Sequence, residues 1–408
     1  MVIGPGGAGV SVAAASGALG RARGQRAGPR TRGAGSGLVP EQDTLLITVD
    51  RWSPTAELFG VYRTSAEPVA VSSRLHLLSL DRLGLVERSW SDFTAVLSET
   101  VARSRVSLPG LGVASEISAG ELAALPGIED FLLLRRIRDE AAGGTWRRIV
   151  VDVSGLGDPF EFLRAASVLS QALNRLWPRH RRLAAAAERP VLAQVTAAVD
   201  AIDRDCVDIA ELTTDAHSVA VHLVIGTDGR AERLLPALLA NVDVMGLALR
   251  SVIVNRGVGD GCDRRVARLR SVVHDDRDVE VINVDRVDEP IDRAARLRKV
   301  GVTFARPDGR RCGTGAARVA EVGADDGSET VRGQDRVFEL TWRQRLPEPD
   351  TLQLGRSGDD LLVTVGGFRH PVRLPSVLRR CVVVDAAWDG TELVVRFVPD
   401  PKLWPKGR

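Results

Sequence analysis

Gly4-Pro5-Gly6-Gly7-Ala8-Gly9-Val10-Ser11, followed by Val12 and three alanines, stands near the start of the chain and decides how the rest is read. A phosphate-binding loop runs Gly, four residues, Gly, Lys, then Ser or Thr. Its glycines let the backbone wrap a phosphate with successive N–H groups pointing inward. Its lysine neutralises charge at the β- and γ-phosphates. Gly4, Gly6, Gly7, Gly9 and Ser11 fit this pattern, but Val10 holds the lysine position. The cradle is written and its charge is missing. Only Val2 and Ile3 follow Met1 before the loop, where a strand usually runs about five residues. Either the first strand is truncated or translation begins upstream.

Outward from the loop, short apolar, β-branched runs recur at Leu45–Val49, Leu75–Leu80, Ile149–Val153, Val219–Ile225, Ser251–Asn255 and Val279–Val284, with helical stretches between them. Fully apolar strands between helices imply a parallel sheet covered on both faces. The predicted fold class is therefore α/β, a doubly wound, mostly parallel sheet. Ligands of such sheets bind beyond the carboxyl ends of the strands, which directs attention to Asp50, Asp152 and Asn255. Helical spacing over Glu129–Asp139, and over Gly157–Ala187 with a break near Trp177-Pro178, predicts a helical subdomain at about residues 90–190. Gly17–Gly37 holds seven glycines and five arginines. It reads as a flexible loop, or alternatively as an Arg/Gly patch for an anionic partner. Thr303–Arg336 is polar and glycine-rich and reads as an interdomain linker.

Beyond residue 336 the hydrophobic period changes to two. Val337–Arg345, Leu352–Leu354, Leu361–Val365, Phe368–Leu374, Val382–Trp388 and Leu393–Val398 read as strands, with hairpin signals at Gly366-Gly367 and Asp389-Gly390. The expected organisation is an α/β domain over 1–302, a linker over 303–336, and a small antiparallel β-sandwich over 337–404.

Composition narrows the function classes. At 408 residues the chain can hold two domains and a large core. A net charge of +2 and 4% aromatic residues give no case for nucleic acid. The four cysteines (Cys206, Cys262, Cys312, Cys381) form no Cys-x-x-Cys, so no zinc or redox cofactor is indicated and a reducing compartment is expected. No apolar run reaches the ~18 residues of a membrane span. Met1–Ser16 lacks the basic region of a signal peptide, so the expected location is the cytoplasm.

Taken together, these motifs resemble the arsenite-pump ATPase family (ArsA), relatives of the tail-anchored-protein targeting ATPases and, more distantly, of MinD. This implies a P-loop NTPase fold of the SIMIBI type. The family loop, typically G-K-G-G-V-G-K-T-T, is represented by Gly4–Val12. The strand ending in D-P-A-H-S-L, with F-G beyond it, is represented by Leu45–Thr55 and Phe59-Gly60. The D-T-A-P-T-G-H-T switch II motif is represented by Asp152-Val153-Ser154-Gly155-Leu156-Gly157-Asp158-Pro159. Leu125-Pro126-Gly127-Ile128-Glu129-Asp130 resembles the start of the family's central helix, and Val254-Asn255-Arg256 the V-N-R strand end. Leu354–Leu361 and Val372-Arg373-Leu374-Pro375 resemble the α-crystallin-like domain appended to many actinobacterial members.

The resemblance implies ATP and Mg²⁺ as ligands. It assigns Ser11 to Mg²⁺, Asp152 to Mg²⁺ through a water, Asp50 to the attacking water, and Asn255 to adenine. It also implies two lysines that are absent. The family's second loop lysine binds phosphate in its own subunit and the first reaches across a dimer; Val10 and Pro5 stand in those places. Each lost charge-assisted contact is worth about 1.5–3 kcal/mol, so losing both weakens nucleotide binding by on the order of 10²–10⁴. Arg21, Arg23 and Arg26 are poorly placed to compensate. Two methionines and the lack of Cys-x-x-Cys speak against the tail-anchor branch, and no metalloid-binding cysteines are evident. Three functions follow as expectations: a regulatory or scaffolding subunit that dimerises with an active paralogue, an active ATPase with a non-standard loop, and a client-binding module acting through the sandwich.

Overall fold

The computed structural model describes residues 1–20, 44–64, 67–103, 117–122, 127–257, 262–273, 279–310, 318–322, 336–343, 352–388, 390 and 392–404. Eight strands form one sheet: β1 (Val2–Ile3), β2 (Thr44–Thr48), β3 (Val69–Ser72), β4 (Leu75–Ser79), β5 (Ile149–Asp152), β6 (Val221–Ile225), β7 (Leu249–Asn255) and β8 (Glu280–Val284). Their order is β3-β4-β2-β5-β1-β6-β7-β8. The pairs β2–β4, β2–β5, β1–β5 and β1–β6 are parallel. β2 and β6 are buried at every position, as expected of strands covered on both faces. β3 runs antiparallel to β4 at the sheet edge, and the sequence reading missed it. Its half-exposed Val-Ala-Val-Ser lacks the continuous apolar run of its neighbours.

β1 is two residues long, yet it is central: Val2 pairs with both Asp152 and His222. The loop follows it directly and feeds the Val10–Leu19 helix, whose N-cap Gly9 has φ 88°. That helix corrects one expectation. Gly17, Ala18 and Leu19, predicted to begin a flexible loop, are helical, and the rest of that stretch, from residue 21, lies outside the described residues. Gly17 serves close packing: a Cβ there would land on the Phe304 ring. Phe304 is itself buried and stacks on His222 at 4.5 Å, so the predicted linker begins as packed chain. It also contains a strand, β9 (Arg318–Val322).

Helices Arg82–Arg103, Ala119–Leu122, Ile128–Ala142, Pro159–Leu176, Arg179–Glu188 and Ala193–Thr214 surround β5 in sequence. The expected break at Trp177-Pro178 separates the fourth from the fifth. No helix among the described residues is long and apolar enough to cross a membrane.

The C-terminal strands are β10 (Val337–Arg343), β11 (Gln353–Ser357), β12 (Asp360–Val365), β13 (Phe368–Arg373), β14 (Cys381–Trp388) and β15 (Glu392–Pro399). They form the sheets β14-β15-β10-β9 and β11-β12-β13, with every neighbouring pair antiparallel. The Gly366-Gly367 hairpin joins β12 to β13; Asp389 of the second hairpin signal lies outside the described residues.

The chain divides into two compact units. Met1–Asp215, His222–Val224 and Val284–Arg306 make the first, and Ala216–Val221, Ile225–Asn283 and Pro307–Arg408 the second. Within the second, the sandwich core is not closed by sandwich residues alone. Ala240 and Val244, from the Gly229–Val244 helix, join Phe338, Leu361, Val363 and Phe397 in one buried cluster.

Candidate functional site

The loop ends of the first unit bring three of the predicted residues together. Gly7 and Gly9 carry positive φ (82° and 88°), a backbone conformation that L side chains rarely hold. Above Gly6 and Gly7 there is open space: a Cβ on either would meet nothing within 4 Å. Val10, in contrast, is turned inward. It is 5% exposed, and its Cγ2 would lie 3.0 Å from a Cβ on Gly4. Pro5 removes one backbone N–H from the cradle. Its carbonyl accepts from the Ala8 N–H at 3.2 Å, closing the turn.

Beneath the loop, Ser11 Oγ and Ser154 Oγ share a hydrogen bond of 2.9 Å, joining the first turn of the helix to the segment after β5. Asp152, the last residue of β5, is fully buried. The Ser11 and Ser154 hydroxyls and the Ser154 backbone N–H lie close enough to favour its charged form, yet the two hydroxyls bond to each other and no hydrogen bond of good geometry reaches either carboxylate oxygen. Burial pushes its pKa up to about 6, against which Ser11 and Ser154 act, and the nearby Asp50 charge adds to the rise.

Asp50 lies two residues past β2. Its Oδ1 accepts from the Trp52 backbone N–H at 2.8 Å, an Asx-type turn, while its carboxyl group packs against Gly155. A Cβ on Gly155, already at φ 71°, would collide with the Asp50 carboxyl carbon. The Asp50 carbonyl accepts from Arg63 Nη2 at 3.0 Å. Asp50 thus holds a turn through its carboxylate while that carboxylate lies close to Gly155 and Asp152. The sequence signal for Ser154 is a hydroxyl where the motif carries alanine. Arg63 has no such signal.

Asn255 belongs to the second unit, where it ends β7 half-buried. Two residues on, the Gly257 N–H donates to Thr227 Oγ1 at 2.9 Å, and Arg265 Nη1 reaches the Thr227 carbonyl at 3.4 Å. Arg256 pairs with Asp263. Of the cysteines, Cys206 and Cys381 are buried and their thiols are pushed up to about 12 and about 11, which makes them unreactive.

Residues 39–277 match the anion-transporting ATPase family, and residues 339–397 match the HSP20-like domain found in ArsA. The chain belongs to the anion-transporting (ArsA) ATPase family. The family match begins after the Gly4–Ser11 loop, so membership rests on residues beyond it. A Mycobacterium tuberculosis protein is 32% identical over 376 residues, 86% of this chain and 85% of its own length. A Streptomyces coelicolor protein is 30% identical over 421 residues, 100% of this chain and 99% of its own. A Chlorobaculum tepidum protein named as an arsenical pump-driving ATPase is 21% identical over 225 residues, 52% of this chain and 53% of its own. The α/β sheet and the antiparallel C-terminal strands are thus those of an ArsA-like fold with its HSP20-like appendage.

Proposed function

We propose that this ArsA-family chain binds nucleotide weakly and acts as a regulatory or scaffolding subunit, dimerising with a paralogue whose loop keeps its lysines. The observation that carries this reading is the burial of Val10 against Gly4, at the position where a phosphate-neutralising lysine would extend over the loop. With Pro5 in the other lysine position, no loop side chain offers a cation to a triphosphate.

The fit to the family's ligands is uneven. The cation side fits: Ser11 presents a hydroxyl, and Asp152 presents two buried oxygens that no hydrogen bond of good geometry reaches. A bound Mg²⁺ would supply charge neutralisation at phosphate oxygens. The phosphate side keeps its open glycine cradle but lacks its charge. Residues of this chain would then orient a nucleotide without neutralising its γ-phosphate, where most phosphoryl-transfer catalysis arises. In a mixed dimer the paralogue's site would also lack the lysine given in trans, and turnover should be slow.

Calorimetry with Mg²⁺-ATP tests this. The wild-type chain is expected to show no saturable binding below about 1 mM, and Val10→Lys is expected to tighten it ten-fold or more, the equivalent of one charge-assisted contact. Micromolar binding by the wild type overturns the reading. A second reading, an active ATPase with a non-standard loop, is favoured by the convergence of Ser11, Asp50 and Asp152. It requires ATP turnover that Asp50→Asn abolishes; turnover unchanged by that substitution disposes of it.

A further inference from the structure

We infer that Ser154, Ser11 and Asp152 form a divalent-cation site that fills without nucleotide, with Ser154 as a direct oxygen donor. The inference rests on the assignment of Ser11 and Asp152 to the cation, and not on the loss of nucleotide binding.

Three observations converge on it. First, Asp152 is fully buried, and neither of its oxygens receives a hydrogen bond of good geometry, although the Ser11 and Ser154 donors lie close by. A buried carboxylate left in this way calls for a missing proton or ion. Second, the groups around it are hard oxygen donors: two hydroxyls at hydrogen-bond distance from each other, with the Asp50 carboxylate nearby. That donor set suits Mg²⁺ or Mn²⁺ and excludes a preference for zinc.

Third, the spacing is right. Mg²⁺ holds oxygens at about 2.1 Å in an octahedron, which sets neighbouring donors about 3.0 Å apart. Ser11 Oγ and Ser154 Oγ are 2.9 Å apart. A cation can therefore take the place of the shared proton with little movement of either chain segment. A nucleotide-bound cation draws oxygens from the phosphates; here the Ser154 hydroxyl, where the switch II motif carries alanine, takes over part of that duty.

The test uses the full chain, stripped with chelator, free of nucleotide, near pH 7.5, and titrated with Mn²⁺ while the free aquo-ion is followed by electron paramagnetic resonance. One Mn²⁺ is expected per chain at millimolar affinity or better, with competition by Mg²⁺. Ser154→Ala should weaken it at least ten-fold and Ser154→Thr should restore it, the metal-free melting temperature serving to confirm folding of each variant. Failure of the wild type to take up Mn²⁺ overturns the inference, as does uptake indifferent to Ser154→Ala. Protein-dependent uptake seen only with ATP present, measured against Mn²⁺ and ATP without protein, overturns it too and leaves the proposed weak nucleotide binding standing. Absence of both Mn²⁺ and ATP binding removes this inference alone.

Discussion

Asp152 is the residue on which the electrostatics of the first unit turn. In the folded chain burial holds its pKa at about 6, against an ordinary 3.8. The sign follows from linkage. A carboxyl raised on folding binds its proton more tightly in the native state, so stability falls as pH rises from about 4 to about 6 and stays reduced above that. A shift of roughly two units corresponds to about 3 kcal/mol. Asp152→Asn, which keeps the shape and removes the charge, should therefore stabilise the chelator-treated protein at pH 7.5 by about that amount and much less at pH 4. Urea unfolding at the two pH values checks it, and an equal effect at both would refute the account. At this scale the sequence was informative about identity and silent about pairing. The motif order brings Asp50, Asp152 and Ser11 forward as candidates, and the fold sets them close together. The Ser11–Ser154 bond and the Arg63–Asp50 bond join residues 143 and 13 positions apart, and no local pattern encodes them.

At the scale of elements, β2, β6 and β7 were legible because burial on both faces leaves a continuous apolar run. β3 was not, because an edge strand with one wet face writes a weaker signal. Gly17 misled for the same kind of reason: a glycine chosen for close approach to Phe304 looks, in sequence, like one chosen for flexibility. The helices that flank β5 in sequence contain a feature with no sequence signature at all. Arg182 is fully buried. Its Nε bonds Asp200 at 2.7 Å, its Nη2 bonds Asp203 at 3.0 Å, and its Nη1 donates to the Trp177 carbonyl at 2.8 Å. It thereby ties the Arg179–Glu188 helix to the end of Pro159–Leu176 and to Ala193–Thr214. Asp203 also accepts from Ser170 Oγ at 2.7 Å. Removing one partner of a buried pair leaves the other charges uncompensated, at a cost of about 3–5 kcal/mol. Arg182→Ala should lower the urea midpoint accordingly, and Arg182→Met combined with Asp200→Asn and Asp203→Asn should recover part of the loss. A midpoint unmoved by Arg182→Ala would mean the clasp contributes nothing to stability.

At the scale of the whole molecule, the question is whether the HSP20-like strands act as an independent module. An appended domain with its own closed core would unfold on its own. Here the core is completed by Ala240 and Val244 from the Gly229–Val244 helix, whose N-cap Asp228 follows Thr227 directly. A Cβ on Gly366, in the β12–β13 hairpin, would sit 3.6 Å from Ala237 Cβ on the same helix. Thr227 in turn holds the backbone just after Asn255. One helix therefore connects the sandwich core to the strand end that the family resemblance assigns to the base. Val244 is 3% exposed, and replacing it with aspartate buries an unpaired charge in that shared core, which costs several kcal/mol. Val244→Asp should accelerate amide hydrogen exchange in β10, β12 and β15 by roughly ten-fold or more, because these strands share a cooperative unit with the helix. Exchange changed in the helix but unchanged in those strands would show an autonomous sandwich, and would favour partner binding that proceeds without reference to the α/β sheet.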